Sequence, residues 1–174
     1  MTRILLLEDT LEIREMLKLK LESRQFQVDE AASIDEAVKK IELNSYDIFI
    51  LDMMLPDGNS IKLFDRYSDR LKGKSIIITG NPSIPTVVEA IKKGAVNYLE
   101  KPVSNEMLFA QVTKIMEMNR LVEEHQNFKN EVVSNFTFGK IVYRSNQMER
   151  MIERAKILSG TDNIVLIQGE TGTG

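Results

Sequence analysis

Short apolar runs alternate along the chain with stretches whose apolar residues recur at helical spacing, and few folds satisfy that pattern. "RILLLE" (3–8) precedes 11–24, where Leu11, Ile13, Met16, Leu17, Leu19 and Leu21 recur between charges. "FQVDEA" precedes a helix expected from about Ser33, an N-cap with Glu36 in the capping-box position. "YDIFILD" (46–52) is nearly continuous in apolar β-formers, as suits a strand buried on both faces. "PDGNS" is a turn, and a helix is expected from there to about Lys72. "KSIIITG" (74–80) and "AVNYLEKP" (95–102) flank a helix over 84–94. Strands and helices alternating at intervals of about 20–25 residues predict an α/β doubly wound parallel sheet with helices on both faces.

From Asn105 the helical pattern continues to about Val133 without Gly or Pro. Leu108, Val112 and Ile115 form a stripe suited to packing on the sheet. Met118, Leu121, His125, Phe128 and Val132 form a second, at alternating spacings of three and four, which is a heptad seam. The seam is expected to pair two copies of the chain; the alternative is one long helix resting on a neighbouring domain. Beyond the break at "SNFTFGK" come a short strand "IVYR", an amphipathic helix around 146–159, a further strand "DNIVLIQ" and a glycine-rich loop.

In an open α/β sheet ligands bind beyond the carboxyl ends of the strands. Glu8 and Asp9 end the first strand, Asp52 the third and Thr79 the fourth, while Lys101 and Pro102 follow the fifth. Carboxylates, a hydroxyl and an ammonium therefore meet at one rim. Crowded carboxylates repel, and Mg²⁺, which prefers carboxylate oxygens, water and phosphate, relieves that repulsion. The set outlines a phosphoryl-transfer site: a carboxylate nucleophile, a metal and a cationic clamp. Other chemistries lack their residues. The chain has no cysteine, which excludes thiolate sites, and a single histidine, which argues against a histidine-rich metal site or a Ser-His-Asp hydrolase. A net charge of −3 gives no general case for nucleic-acid binding. No apolar run approaches the roughly 18 residues of a membrane span, and the start is unlike a signal peptide, so a cytoplasmic protein is expected.

"LLLEDT", "ILDMMLPDGNS", "IITG" and "NYLEKP" together resemble the receiver domain of bacterial two-component response regulators, over roughly residues 1–120. The resemblance implies a flavodoxin-like (βα)5 sheet of order 2-1-3-4-5. It makes Asp52 the phosphoacceptor, charged by a sensor histidine kinase. Glu8 and Asp9 become the acidic pair, with Asp9, Asp52 and the backbone carbonyl of Met54 holding Mg²⁺. Thr79 and Tyr98 become the switch residues, and Lys101 the phosphate-binding lysine, followed by a cis peptide to Pro102. Two departures stand out. Ser60 occupies a position where many members carry glycine, and Pro82 and Pro85 stiffen the segment after the fourth strand.

A receiver, a helical linker (121–137) and the segment 138–174 resemble the junction in NtrC-type activators, where a sigma-54-interacting AAA+ ATPase begins. Gly169, Glu170, Thr171, Gly172, Thr173 and Gly174 match the start of a Walker A loop, G-x-x-x-x-G-K-[ST]. The lysine and hydroxyl of that motif lie past Gly174, so ATP is expected to bind only in a full-length parent, and this chain is expected not to be an ATPase. By the same resemblance the parent would engage sigma-54 RNA polymerase and promoter DNA through parts absent here. Two rival readings are a receiver that is never phosphorylated and serves as a dimerisation scaffold, and a flavodoxin-like cofactor-binding domain. The second needs a phosphate-binding loop after the first strand, where "EDTLEI" offers acids instead.

Overall fold

The computed structural model describes residues 2–135, 137–138, 141–142, 145–161, 164–166 and 168–169; for 123, 125–135, 137–138 and 142 it describes the backbone alone. The chain divides into two compact units, residues 1–120 and 121–174.

The first unit is a five-stranded parallel sheet. Its strands are β1 (Arg3–Leu7), β2 (Gln27–Ala31), β3 (Ile48–Asp52), β6 (Ser75–Thr79) and β7 (Asn97–Glu100), in the order β2-β1-β3-β6-β7. Counting sheet strands alone, this is the expected 2-1-3-4-5 order. The register sets Leu7 beside Ala31 and Leu51, and Asp52 beside Ile78, so the strands end close together at one rim.

Period-two alternation divides the core between the two faces of the sheet. Leu5, Leu7, Phe49, Leu51 and Ile77 face α2 (Ile34–Leu43), α3 (Leu63–Leu71) and α4 (Ile84–Lys93), meeting Ala37, Ile41, Phe64, Leu71 and Ala90. Ile4, Leu6, Ile48, Ile50, Ile76 and Ile78 face α1 (Leu11–Glu22) and α5 (Asn105–Asn135), meeting Leu17, Leu21, Leu108, Val112 and Ile115. Both faces are therefore covered, which is why β3 and β6 are buried throughout and read as continuous apolar runs.

Helix starts follow their caps. The Ser33 hydroxyl accepts from the Glu36 N–H at 3.2 Å, while the Glu36 carboxylate reaches back to the Ala32 N–H at 2.9 Å. Ser83 caps α4 through the Thr86 N–H, with Pro85 in the first turn, where no amide donor is required. At the other end of α4, Gly94 has φ +112° and is the left-handed cap.

Between β3 and α3 the chain forms more than the expected turn. β4 (Met54–Leu55) pairs antiparallel with β5 (Gly58–Asn59), and a 3-10 turn, Ser60–Lys62, leads into α3. Asp57 ties this hairpin to α2 by accepting the Asp35 N–H at 3.2 Å.

In the second unit α5 runs to Asn135, β8 (Thr137–Phe138) pairs with β9 (Ile141–Val142), and α6 spans Asn146–Leu158 with Ser145 as its cap. The strand expected at "DNIVLIQ" is absent from its described residues, 164–166 and 168. Ile164, Val165 and Leu166 are exposed there. A strand exists only as part of a ladder, and no described segment pairs with this one. Of the glycine-rich loop only Gly169 is described; the readings for Glu170, Thr171, Gly172, Thr173 and Gly174 lie outside the described residues. No helix among the described residues is long and apolar enough to cross a membrane.

Candidate functional site: the carboxyl rim of the sheet

Asp52 is the last residue of β3 and is 5% exposed. An isolated carboxylate at that depth would carry a large desolvation cost. Lys101 supplies the compensating charge, with its Nζ 2.6 Å from Asp52 Oδ2. The same ammonium lies 2.8 Å from Glu8 Oε1, aligned as a hydrogen bond, and 2.7 Å from Glu8 Oε2, in ion contact without that alignment. Asp52 Oδ1 accepts the Met54 N–H at 3.2 Å.

Glu8 is fully buried, and burial pushes its carboxyl above the usual range. The nearby Asp52 charge adds to the rise, while the Lys101 hydrogen bond works against it. Burial alone would lower the Lys101 ammonium, but its hydrogen bonds to Asp52 and Glu8 outweigh burial and hold it above the ordinary lysine value. Asp9 completes the acidic set: Glu8, Asp9 and Asp52 each offer a carboxylate oxygen, all within 4.8 Å of one another. A hard-oxygen set of this kind suits a small divalent cation.

Thr79, 2% exposed, ends β6. Its hydroxyl accepts the Asn81 N–H at 3.3 Å, and its carbonyl accepts the Lys101 N–H at 2.9 Å, which anchors the backbone that carries the lysine. The Lys101–Pro102 peptide bond is cis. Tyr98 is exposed on β7 and lines, with Pro102 and Met107, a groove of about 450 Å³. The structure thus brings Lys101 into contact with Glu8 and Asp52, and places Asp9 within 4.8 Å of both carboxylates. Met54 joins through its amide, with its side chain exposed, and Thr79 through its backbone tie to Lys101.

The second expected set is placed differently. Met118 and Leu121 are exposed on α5, and the side chains of His125, Phe128 and Val132 lie outside the described residues. One residue at the rim escaped the sequence reading. Arg14, on α1, donates through Nη1 to the carbonyls of Glu8 at 2.7 Å and Asp9 at 3.1 Å. The available signal was an arginine one helical turn after the loop that holds the acidic pair.

Known proteins resemble this chain in sequence and fold. Residues 4–113 match the family model of the response regulator receiver domain. The C4-dicarboxylate transport transcriptional regulatory protein DctD of Rhizobium meliloti is 28% identical over 172 residues, covering 98% of this chain and 37% of that protein. A putative response regulator, NtrX-like, of Rickettsia typhi is 30% identical over 177 residues, covering 98% of this chain and 36% of its own length. The chain therefore spans a little over a third of these curated relatives. Among solved structures, the beryllofluoride-activated NtrC4 receiver domain dimer superposes with a TM-score of 0.64 at 34% identity, covering 68% of this chain and 98% of that one. A two-component response regulator from Clostridium difficile gives 0.63 at 28% identity, covering 67% and 97%.

Proposed function

Because the chain belongs to the family of response regulator receiver domains, we propose that Asp52 is its phosphoacceptor and that a sensor histidine kinase is the donor. One observation carries this reading: the buried Asp52 carboxylate is held at 2.6 Å by Lys101 with the Glu8 and Asp9 carboxylates gathered beside it. In the step, an Asp52 oxygen attacks phosphorus and the bond from phosphorus to the donor imidazole nitrogen breaks. Its electron pair stays on the imidazole, which takes a proton from water, and Asp52 becomes an acyl phosphate. Lys101, already within reach of both carboxylates, exchanges its contact with Asp52 for one with the incoming phosphoryl oxygens. Thr79 supplies a hydroxyl and Tyr98 the aromatic side chain that respond to the new group.

Asp9, Asp52, the Met54 carbonyl and Glu8 are the residues that would hold Mg²⁺. When bound, the ion offsets the negative charge that builds on the phosphoryl oxygens. The finer organisation belongs to the same proposal. Residues 1–120 act as the receiver, 121–137 as a linker that pairs two copies, and 138–174 as the start of a sigma-54-interacting ATPase module. The division of the chain after Arg120 supports the first boundary. Phosphorylation would then control a transcriptional activator that binds ATP, promoter DNA and sigma-54 polymerase in its full-length form. In this chain the receiver acts as a regulated module.

Acetyl phosphate with Mg²⁺ tests the site. The chain is expected to gain the mass of one phosphoryl group, and Asp52→Asn to gain none, because an amide is a poor nucleophile. Lys101→Ala should still bind Mg²⁺ but release beryllofluoride faster. Full labelling of the Asp52→Asn protein would exclude Asp52 as the acceptor.

A further inference from the structure

Building on the phosphoacceptor reading, we infer that Arg14 is a positioning residue of the rim, fixing the backbone from which the Glu8 and Asp9 carboxylates enter the cation site. The β1–α1 loop is only three residues long, Glu8 to Thr10, and two of the three carry the acidic side chains. The Glu8 N–H is already committed, donating to the Ala31 carbonyl at 3.0 Å. Arg14 Nη1 then takes both carbonyls that follow, Glu8 at 2.7 Å and Asp9 at 3.1 Å. Peptide units are planar, so fixing successive carbonyls fixes the peptide planes on both sides of Asp9 and with them the direction of its side chain.

The guanidinium is itself held in place. Its Nε lies 3.5 Å from Glu30 Oε1 on β2, and the Arg14 side chain is only 13% exposed. A charge-assisted hydrogen bond shielded from water is stronger than an exposed one. Arginine suits the task because its planar fork serves the carbonyls and Glu30 together, whereas a lysine ammonium has one nitrogen to divide. The position is also economical in charge: a cation sits against the backbone of the acidic pair without occupying their carboxylates. Lys101 and any incoming cation are left to engage those oxygens directly.

A purely structural role would make Arg14 one more tie between α1 and β2, beside the Lys18–Glu30 pair. Mg²⁺ titration by calorimetry on the whole chain separates the two roles without using the phosphoryl step. Arg14→Ala is expected to raise the Mg²⁺ dissociation constant about 10-fold, the usual scale for losing a group that orients metal ligands. Arg14→Lys should fall between, and Lys18→Ala, which removes the other cation on Glu30, should bind Mg²⁺ as the parent does. The half-saturating Mg²⁺ for acetyl phosphate labelling should rise by the same factor, with the rate restored at saturating Mg²⁺. An unchanged dissociation constant in a folded Arg14→Ala, beside a parent that binds Mg²⁺, overturns the role of Arg14 and leaves the phosphoacceptor reading intact. A parent that binds no Mg²⁺ overturns both. Should Arg14→Ala fail to fold, Glu30→Gln carries the test: it removes the charge paired with Nε, a smaller weakening is expected, and none refutes the proposal.

Discussion

Away from the rim, Asp29 on β2 gathers two partners, the Tyr46 hydroxyl and the Arg3 guanidinium. Tyr46 donates its hydroxyl to Asp29 Oδ2 at 2.8 Å, and Arg3 donates to the same oxygen through Nε at 3.0 Å and Nη2 at 2.6 Å. Burial, then the hydrogen bond and charge of Asp29, push the Tyr46 hydroxyl up to about 12. In the unfolded chain it titrates near the ordinary value of about 10. Tyr46 is therefore protonated in the fold over a range where the unfolded chain has lost its proton. The resulting stability is complete below about pH 10 and falls away as the pH rises through about 12. Asp29 behaves in the opposite sense. Burial works against its charge, but Tyr46 and Arg3 win and hold its carboxyl below the usual range. It contributes above the ordinary carboxylate pKa and loses that contribution in acid. Tyr46→Phe is expected to cost about 1–3 kcal/mol at pH 8, the scale of a hydrogen bond to a charged group. It should also flatten the alkaline limb of the stability curve. Urea unfolding of both proteins between pH 8 and 12 is the measurement, and an alkaline limb unchanged by the substitution would contradict the account.

At the scale of elements, α4 is defined by its two ends. Ser83 and Pro85 start it, and at its C-terminus Lys93 reaches Asp65 on α3 at 2.6 Å. Gly94 then turns the chain back at φ +112°, where an added Cβ would lie 2.6 Å from Lys72 Cγ and 3.3 Å from Lys72 Cα. Gly94→Ala meets both an unfavourable dihedral and a crowded neighbour, and a loss of about 1–3 kcal/mol is expected in chemical denaturation. A loss near zero would mean that Lys72 yields freely. The helix was legible in the sequence, although the expected span 84–94 ran through the glycine that ends it; the buried strands were legible because a sheet covered on both faces needs uninterrupted apolar runs. That Glu8, Asp9, Asp52 and Lys101 meet was legible too, since strand ends point to one rim. The β4–β5 hairpin was not: it pairs two residues with two, too few for any periodicity to register. Nor was the work of Arg14, whose partners are backbone carbonyls that no side-chain pattern encodes. The strand expected at "DNIVLIQ" failed for another reason, because composition marks a segment's preference but cannot provide its neighbour.

For the whole molecule, the open question is how many copies act together. Along α5, Leu108, Val112 and Ile115 are spent on the sheet, and Asn119, near the end of the first unit, donates to the Asp47 carbonyl at 3.3 Å. Met118, Leu121 and Val122 remain exposed. A helix that carries such a stripe gains by pairing with a second copy. Sedimentation is expected to show a dimer, and Leu121→Asp with Phe128→Asp a monomer that still accepts a phosphoryl group at Asp52. A dimer indifferent to both substitutions would place the contact elsewhere. The ion pair between Glu8 and Lys101 joins residues 93 apart in the chain. Synthesis delivers Glu8 and Asp9 first, Asp52 midway and the lysine last, directly after β7, an edge strand of the sheet. A half-made chain thus carries every negative group of the rim without the cation that lets them coexist. The pair closes only once the last strand is seated, so a chain cannot be given its message before it has finished becoming a receiver of one.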